Sequence, residues 1–167
     1  SPGKNLYGGR VNRIQMKVVN LIAGYHGKKV IDITAEFRRT TAILGKNGVG
    51  KTTLLKALAG LLKPISGSVY ATGRIAFLPQ ILSPLFDISV SEFVLIGRFS
   101  KRGLFSRLTE NDRQIVRRSL AQCGIAHLEN RYLLELSGGE LRKVYIARAL
   151  SQEADTLLLD EPDSHLD

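Results

Sequence analysis

The stretch GKNGVGKTT, from Gly45 to Thr53, constrains the fold of this chain more than any other part of the sequence. It matches the pattern G-x-x-x-x-G-K-[ST], and the run Thr40–Leu44 before it is short and β-branched, as expected of a strand. Glycines let successive backbone N–H groups turn inward around phosphate oxygens, and the next helix adds the positive end of its dipole. The sequence therefore predicts a strand, a phosphate-binding loop and a helix in direct succession.

Two side chains of this loop have distinct chemical roles. Lys51 supplies a mobile positive charge to the β- and γ-phosphates of a nucleotide, and the Thr52 hydroxyl is a ligand for Mg²⁺. A glycine-rich turn without a ligand is the alternative, but chance produces this pattern in roughly one chain in a hundred of this length. The loop thus predicts a bound nucleotide with Mg²⁺.

A pair of acids follows a second strand near the end of the sequence. The continuous apolar run Thr156–Leu159 is typical of a strand buried on both faces, and Asp160 and Glu161 come directly after it. A phosphate-binding loop needs a carboxylate from a neighbouring strand to hold Mg²⁺, which is the role predicted for Asp160. Glu161, one residue later, is placed to orient or deprotonate a water molecule. Two acids that end a strand in a solvated turn are the alternative.

The remaining pattern indicates an α/β fold with a helical insert. Strands are predicted at 14–22, 29–37, 68–71 and 74–78, and helices at 51–62 and 137–150. Ser89 and Thr109 are each followed three residues later by an acid, which predicts two capped helices between 81 and 136. The first two strands flank a short turn and are expected to pair antiparallel.

Composition limits the class of protein only loosely. The chain has 24 Lys and Arg against 15 Asp and Glu, a formal net charge of +9. This balance suits a nucleic acid, an anionic membrane surface or a phosphate-bearing ligand, although scattered solvated basic faces explain it equally well. Cys123 is the one cysteine, which excludes a disulfide within the chain and fits a reducing compartment.

A third motif completes a recognisable set. LSGGE, at Leu136–Glu140, resembles the signature motif of ABC-type ATPases and precedes the helix that leads to LLLDEP. The glycine loop, FLPQ and SHLD occur with it in an order that is similar to that of this family. The usual fifth residue of that signature is Gln, whereas this chain has Glu140. Ser137 and Glu140 also form the pattern of a capping box, so a helix cap is the simpler reading, and both readings are compatible.

The resemblance implies a fold and a division of the chain. It implies a P-loop NTPase core with a mixed sheet, flanking helices and an antiparallel β N-terminal part. Residues 1–80 and 138–167 would form this core, and residues 81–137 a helical signature subdomain. The family's final strands and its switch histidine would lie beyond Asp167, so we expect an exposed sheet edge and weak hydrolysis from this stretch alone.

The resemblance also implies a role for individual residues. Tyr25 would stack on adenine, with an ordinary exposed turn tyrosine as the alternative. Gln80 would contact Mg²⁺ and the attacking water, Asp160 would hold the metal, and Glu161 would be the general base. The phosphates would be bound by Gly45, Asn47, Gly48, Gly50, Lys51, Thr52 and Thr53. Ser137, Gly138 and Gly139 would complete the site of a second copy.

The implied function is that of an ATP-hydrolysing subunit of an importer. A head-to-tail homodimer would close on MgATP and drive separate transmembrane permease subunits, with a substrate-binding protein acting indirectly. The motif style is similar to that of importers of iron–siderophore, haem or cobalamin chelates, and places the chain on the cytoplasmic face of the membrane, without direct contact to nucleic acid. A soluble ABC-type ATPase of ribosomes or nucleic acid, or a nucleotide-binding fragment without turnover, are the alternatives.

Overall fold

A computed structural model of the chain describes residues 14–38, 40–80, 87–99 and 107–160. The chain divides into two compact units, Ser1–Thr72 and Gly73–Asp167. The subdomain limits inferred from the sequence stay a prediction. No helix among the described residues is both long and apolar enough to cross a membrane.

The first unit is built on an antiparallel sheet. Strands β1 (Ile14–Tyr25) and β2 (Lys28–Arg38) form a hairpin, and β3 (Ser66–Ala71) pairs antiparallel with the other edge of β1. His26 and Gly27, with φ of 53° and 75°, form the two-residue turn whose positive φ values suit the twist of a hairpin. The predicted antiparallel pair is confirmed.

A β-bulge in β1 keeps one face of this sheet buried. The buried side chains of β1 are Met16, Val18, Leu21 and Ala23, so the alternation shifts by one residue in the middle of the strand. Asn20 occupies the shift with φ 48°, and its backbone N–H donates to the Thr34 hydroxyl at 2.8 Å. Gly67 of β3 lies opposite, where a Cβ atom would be 2.1 Å from the Asn20 carbonyl oxygen. The bulge therefore requires a glycine on its neighbour.

Helix α1 (Lys51–Leu58) packs on all three strands and ends four residues before the predicted Leu62. Gly60 has φ 72°, and its N–H donates to the Ala57 carbonyl at 3.1 Å. The N–H of Leu61 donates to the Lys56 carbonyl at 2.9 Å, which completes a Schellman motif. The apolar spacing of Leu61 and Leu62 continues the helical pattern, but the left-handed glycine before them ends the helix.

The strand predicted at Thr40–Leu44 is absent from the described part of the chain. No described strand pairs with these residues, and Leu44 is 90% exposed. A β-branched run becomes a strand only where a neighbour supplies the hydrogen-bond ladder. This prediction was therefore wrong for the structure in hand.

The second unit contains a parallel pair of strands. Residues 75–78 of β4 (Ile75–Leu78) pair in register with β5 (Thr156–Leu159). The strand β5 is confirmed at its predicted bounds, but only Leu158 is buried and its three neighbours are half-buried. The expectation of burial on both faces is thus met only in part.

Between these strands in sequence, the described part of the chain contains three helices. They are α2 (Val90–Ile96), α3 (Glu110–Gln122) and α4 (Gly138–Ser151), with short 3₁₀ turns at Ala126–Leu128 and Leu133–Glu135. Each of the three begins with a capping box, and those of α2 and α3 start where Ser89 and Thr109 predicted. Their common core consists of Val90, Val94, Val116, Leu120, Ile125, Leu128, Leu133, Leu141, Val144 and Ala147.

Candidate nucleotide site

The glycine loop in the first unit leads directly into α1. Gly48 and Gly50 have φ of 80° and 103°, a region that L side chains rarely adopt. A Cβ atom on Gly50 would lie 2.5 Å from Ile31 Cγ2 and 3.1 Å from Val30 Cγ1. Both the backbone conformation and the contact with β2 therefore require glycine at position 50.

The N-terminus of α1 is suited to an anion. Its cap residue, Gly50, has no side chain, and its first turn carries no acid. The first regular bond of the helix runs from the Leu54 N–H to the Gly50 carbonyl at 2.9 Å. In any α-helix, the N–H groups of the first turn have no acceptor within the helix itself, and they lie at the positive end of its dipole.

Lys51 folds back over the loop. Its Nζ atom donates to the carbonyl oxygens of Gly45 at 2.6 Å and Lys46 at 3.0 Å. The ammonium group is therefore held over the loop, on the half-buried first residue of α1. Neutral carbonyls are weaker acceptors for a cation than phosphate oxygens, so these two bonds can be exchanged for a ligand.

The other predicted phosphate-binding residues differ in exposure. Asn47 and Gly48 are exposed, Thr52 is half-buried and Thr53 is buried. The buried Thr53 packs in the first turn, so its side chain is less accessible than the prediction implies.

Tyr25 lies at the end of the β1–β2 hairpin. It pairs with Lys28, the first residue of β2, and its side chain is 42% exposed. Val30, which contacts Gly50, is two residues further along the same strand, or about 7 Å at the rise of a strand. The structure thus brings the predicted adenine-stacking ring to the end of β2 that touches the glycine loop.

In the second unit, Gln80 and Asp160 follow neighbouring parallel strands at the same end. Leu78 pairs with Leu159, and the Asp160 N–H continues the pairing by donating to the Leu78 carbonyl at 2.9 Å. Asp160 is 5% exposed, whereas Gln80 is exposed. Glu161, the predicted general base, lies outside the described residues.

The signature stretch forms the start of α4. Ser137 is the cap residue, and its backbone N–H and its hydroxyl donate to Glu140 Oε2 at 2.9 Å and 2.7 Å. These two bonds, the hydroxyl bond first, hold the pKa of Glu140 below its usual range. Ser137, Gly138 and Gly139 are exposed. The helix start predicted at Ser137 is confirmed, and with it the capping box.

A buried ionic cluster was missed by the sequence reasoning. Arg98, 1% exposed, binds Asp112 Oδ1 through Nε at 3.0 Å and Glu153 Oε2 through Nη1 at 3.1 Å, and it also donates to the Ser151 carbonyl. The Ser151 hydroxyl in turn donates to the Val94 carbonyl at 2.9 Å. The spacing of Asp112 from Thr109 predicts only a capping acid, and no spacing rule indicates that Arg98 would reach it.

The donor types present fit Mg²⁺. The predicted ligands are a hydroxyl on Thr52, an amide on Gln80 and a carboxylate on Asp160, all oxygen donors of the kind that Mg²⁺ prefers. Among the described residues no group of three or more His, Cys, Asp or Glu is arranged to hold a metal. Mg²⁺ typically takes one or two carboxylates from the protein, together with the phosphates of its nucleotide.

Comparison with known proteins gives the family. A family model described as "ABC transporter" matches residues 29–164. An ABC transporter ATP-binding protein of Haemophilus influenzae is 37% identical over 174 residues, covering 95% of this chain and 66% of that protein. The iron(3+)-hydroxamate import ATP-binding protein of Bacillus subtilis is 34% identical over 160 residues, covering 86% of this chain and 60% of that protein.

A solved structure is similar over nearly the same extent. It is described as an inward-facing conformation of a metal-chelate type ABC transporter, and it matches with a TM-score of 0.82 at 36% identity, covering 92% of this chain and 62% of that one. The chain thus spans 60% to 66% of the length of these three proteins. The mixed α/β fold with an antiparallel N-terminal sheet is confirmed. This chain belongs to the ABC transporter family, as one of its ATP-binding domains.

Proposed function

We propose that this chain binds and hydrolyses ATP and so powers the import of a small substrate through separate membrane subunits. The observation that carries the proposal is the glycine loop of Gly45–Thr53 at the start of α1, in a chain of the ABC transporter family. The loop supplies the phosphate site, and the family supplies the coupling to transport.

ATP binding uses the loop and the lysine that folds over it. Lys51 exchanges the carbonyl oxygens of Gly45 and Lys46 for the β- and γ-phosphates, which is favoured because charged acceptors form stronger hydrogen bonds. The N–H groups of the loop, between Gly45 and Thr53, bind the same phosphates. The exposed ring of Tyr25 stacks on the adenine.

Hydrolysis depends on position and charge. Thr52, Gln80 and Asp160 would hold Mg²⁺, which would supply positive charge to offset the charge that develops on the phosphates. Gln80 also orients the attacking water, and Glu161 accepts its proton. With little covalent chemistry for the protein to perform, the rate comes from holding these groups in place.

The proposed partners are those that the family resemblance implies. Two copies meet head to tail, so that Ser137, Gly138 and Gly139 of one copy close the nucleotide site of the other. Transmembrane permease subunits receive the motion on the cytoplasmic face of the membrane, and a substrate-binding protein contributes indirectly.

A metal chelate is the proposed substrate class. The support is that one relative imports iron(3+)-hydroxamate and that a similar structure is a metal-chelate type transporter.

The test compares ATP binding by the wild type with that by Lys51→Ala and Lys56→Ala. Lys56 is the matched control because it carries the same charge on the same helix, in the last turn rather than the first. We expect Lys51→Ala to weaken ATP binding at least about tenfold, since a charge-assisted bond to phosphate contributes roughly 1.5–3 kcal/mol. Lys56→Ala should bind like the wild type.

Equal binding by all three proteins would contradict the phosphate site. ATPase activity that rises with ribosomes or RNA, and not with permease in vesicles, would contradict the transport role and favour the soluble class instead.

A further inference from the structure

The carboxylate of Glu140 occupies both hydrogen-bond donors of Ser137. The Ser137 backbone N–H and hydroxyl donate to the same oxygen, Oε2, at 2.9 Å and 2.7 Å. The Glu140 N–H lies 3.4 Å from the Ser137 hydroxyl oxygen, so the serine is engaged as donor and acceptor. In the described part of the chain no Lys or Arg forms an ion pair with Glu140, and the nearby Arg131 is bound to Glu135 at 2.7 Å.

This arrangement conflicts with binding of a phosphate at the same helix start. A serine hydroxyl has one proton, so it cannot donate to a phosphate oxygen while it donates to Glu140. The ionised carboxylate also offsets the positive end of the α4 dipole and repels a second anion a few ångströms away. Both effects oppose an anionic ligand at Ser137–Gly139.

We propose that Glu140 acts as a built-in competitor of the nucleotide and raises the ATP concentration at which two copies close. The inference rests on the proposed function, in which Ser137 of one copy closes the nucleotide site of the other. For closure, the hydroxyl of Ser137 has to leave the carboxylate and turn to the phosphate. Residue 140 thereby sets the nucleotide threshold of the dimer without contacting the reacting atoms.

Replacing Glu140 with glutamine removes the negative charge and keeps the shape of the side chain. Its amide oxygen accepts the same two bonds from Ser137, so the cap and the helix start are retained, while the negative charge is lost. The weaker neutral acceptor releases the hydroxyl more readily. We therefore expect Glu140→Gln to lower the ATP concentration for half-maximal dimerisation about fivefold to tenfold, as for one like-charge contact at about 4 Å in water.

The chain contains a matched control in α2. The Ser89 N–H and hydroxyl donate to Glu92 Oε2 at 2.9 Å and 2.6 Å, which reproduces the geometry of the Ser137 box. Both carboxyl groups have a pKa below the usual range, with the serine hydroxyl as the first cause in each, and for Glu140 the charges of Arg131 and His127 lower it further. Glu92→Gln therefore removes an equivalent helix-capping charge without touching the signature stretch.

The experiment measures dimerisation of the intact protein by sedimentation velocity as Mg²⁺ and the non-hydrolysable analogue AMP-PNP are titrated. A lower midpoint for Glu140→Gln, with Glu92→Gln equal to the wild type, supports the proposal. Equal midpoints for all three, or the same shift in both variants, overturn it while the proposed function stands. If the analogue neither binds to nor dimerises the wild type, the proposed function fails and the inference fails with it.

Discussion

At the scale of single residues, the glycines of the phosphate loop carry the most specific information. Gly50 combines a φ of 103° with a close approach to Ile31, whereas Gly60 has φ 72° and open space around it. The first position is therefore constrained by both backbone and packing, the second by backbone alone. The loop motif predicts a glycine at position 50, but only the structure shows that strand β2 of the same unit leaves no room for a side chain there.

A substitution at each glycine separates these effects. We expect Gly60→Ala to lower the free energy of unfolding by about 1–2 kcal/mol, the usual penalty of an L residue in left-handed backbone. Gly50→Ala should cost more, because its Cβ also meets Ile31 Cγ2, and it should weaken ATP binding as the loop is displaced. Urea unfolding and ATP titration of both variants check this. A loss of ATP affinity in Gly60→Ala alone would reverse the assignment.

The capping glutamates predict a pH dependence of stability. The pKa of Glu92 and of Glu140 is lowered by the serine hydroxyl and then by the serine backbone N–H. Because the folded chain holds the proton more weakly than the unfolded chain, the ionised groups stabilise the fold above the usual pKa of a glutamate. This contribution is lost as the pH falls through the lowered pKa.

We expect the free energy of unfolding to fall between about pH 5 and pH 3. The double variant Glu92→Gln, Glu140→Gln should show a shallower fall, measured by urea unfolding followed by circular dichroism. A slope equal to that of the wild type would show that other carboxyl groups control the acid response.

At the scale of elements, some features are formed by residues close together in the sequence, and others by residues that are far apart. The capping boxes and the hairpin turn use residues within a few positions of one another, so their sequence patterns were sufficient. The Arg98 cluster joins the turn after α2 to Asp112 of α3 and to Ser151 and Glu153 at the end of α4, across up to 55 positions. Gly97 is part of this packing, since a Cβ there would be 2.3 Å from the Ser151 hydroxyl.

Loss of the buried arginine should destabilise the second unit. Arg98→Met removes the cation beside the buried Asp112, and breaking a buried ion pair typically costs about 3–5 kcal/mol. The control is Arg117→Met, which removes an exposed pair with Glu110 and should change stability by less than about 1 kcal/mol. Equal effects in chemical denaturation would mean that the cluster contributes no more than a surface pair.

At the scale of the whole molecule, the predicted site residues belong to both compact units. Lys51 belongs to Ser1–Thr72, and Gln80, Asp160 and the signature stretch belong to Gly73–Asp167. In the proposed head-to-tail dimer, each site takes its loop from one copy and its Ser137–Gly139 stretch from the other. Mutations in the loop and in the signature stretch should therefore complement each other.

Mixing two inactive variants tests this arrangement. Lys51→Ala and Gly138→Asp should each abolish ATPase activity when alone. A mixture contains mixed dimers in which one site has both an intact loop and an intact signature stretch, so up to roughly a quarter of the activity should return. ATPase assays at equal total protein measure it. Absence of recovery, with mixed dimers present by mass measurement, would contradict a site shared between copies.

The sequence by itself determined the motifs and the local structure. The glycine loop, the hairpin, three capped helices and β5 are specified by neighbouring residues, so their patterns sufficed, and together with the order of the motifs they led to the family. The tertiary structure decided what depends on distant partners: the early end of α1 and the bulge opposite Gly67, the missing ladder for Thr40–Leu44, and the burial of Arg98. Glu140 illustrates both levels. Its spacing from Ser137 predicts the cap, but only the structure shows that one carboxylate oxygen accepts from both donors of that serine. Hydrogen bonds and burial between distant residues depend on which surfaces meet, and no local pattern encodes that.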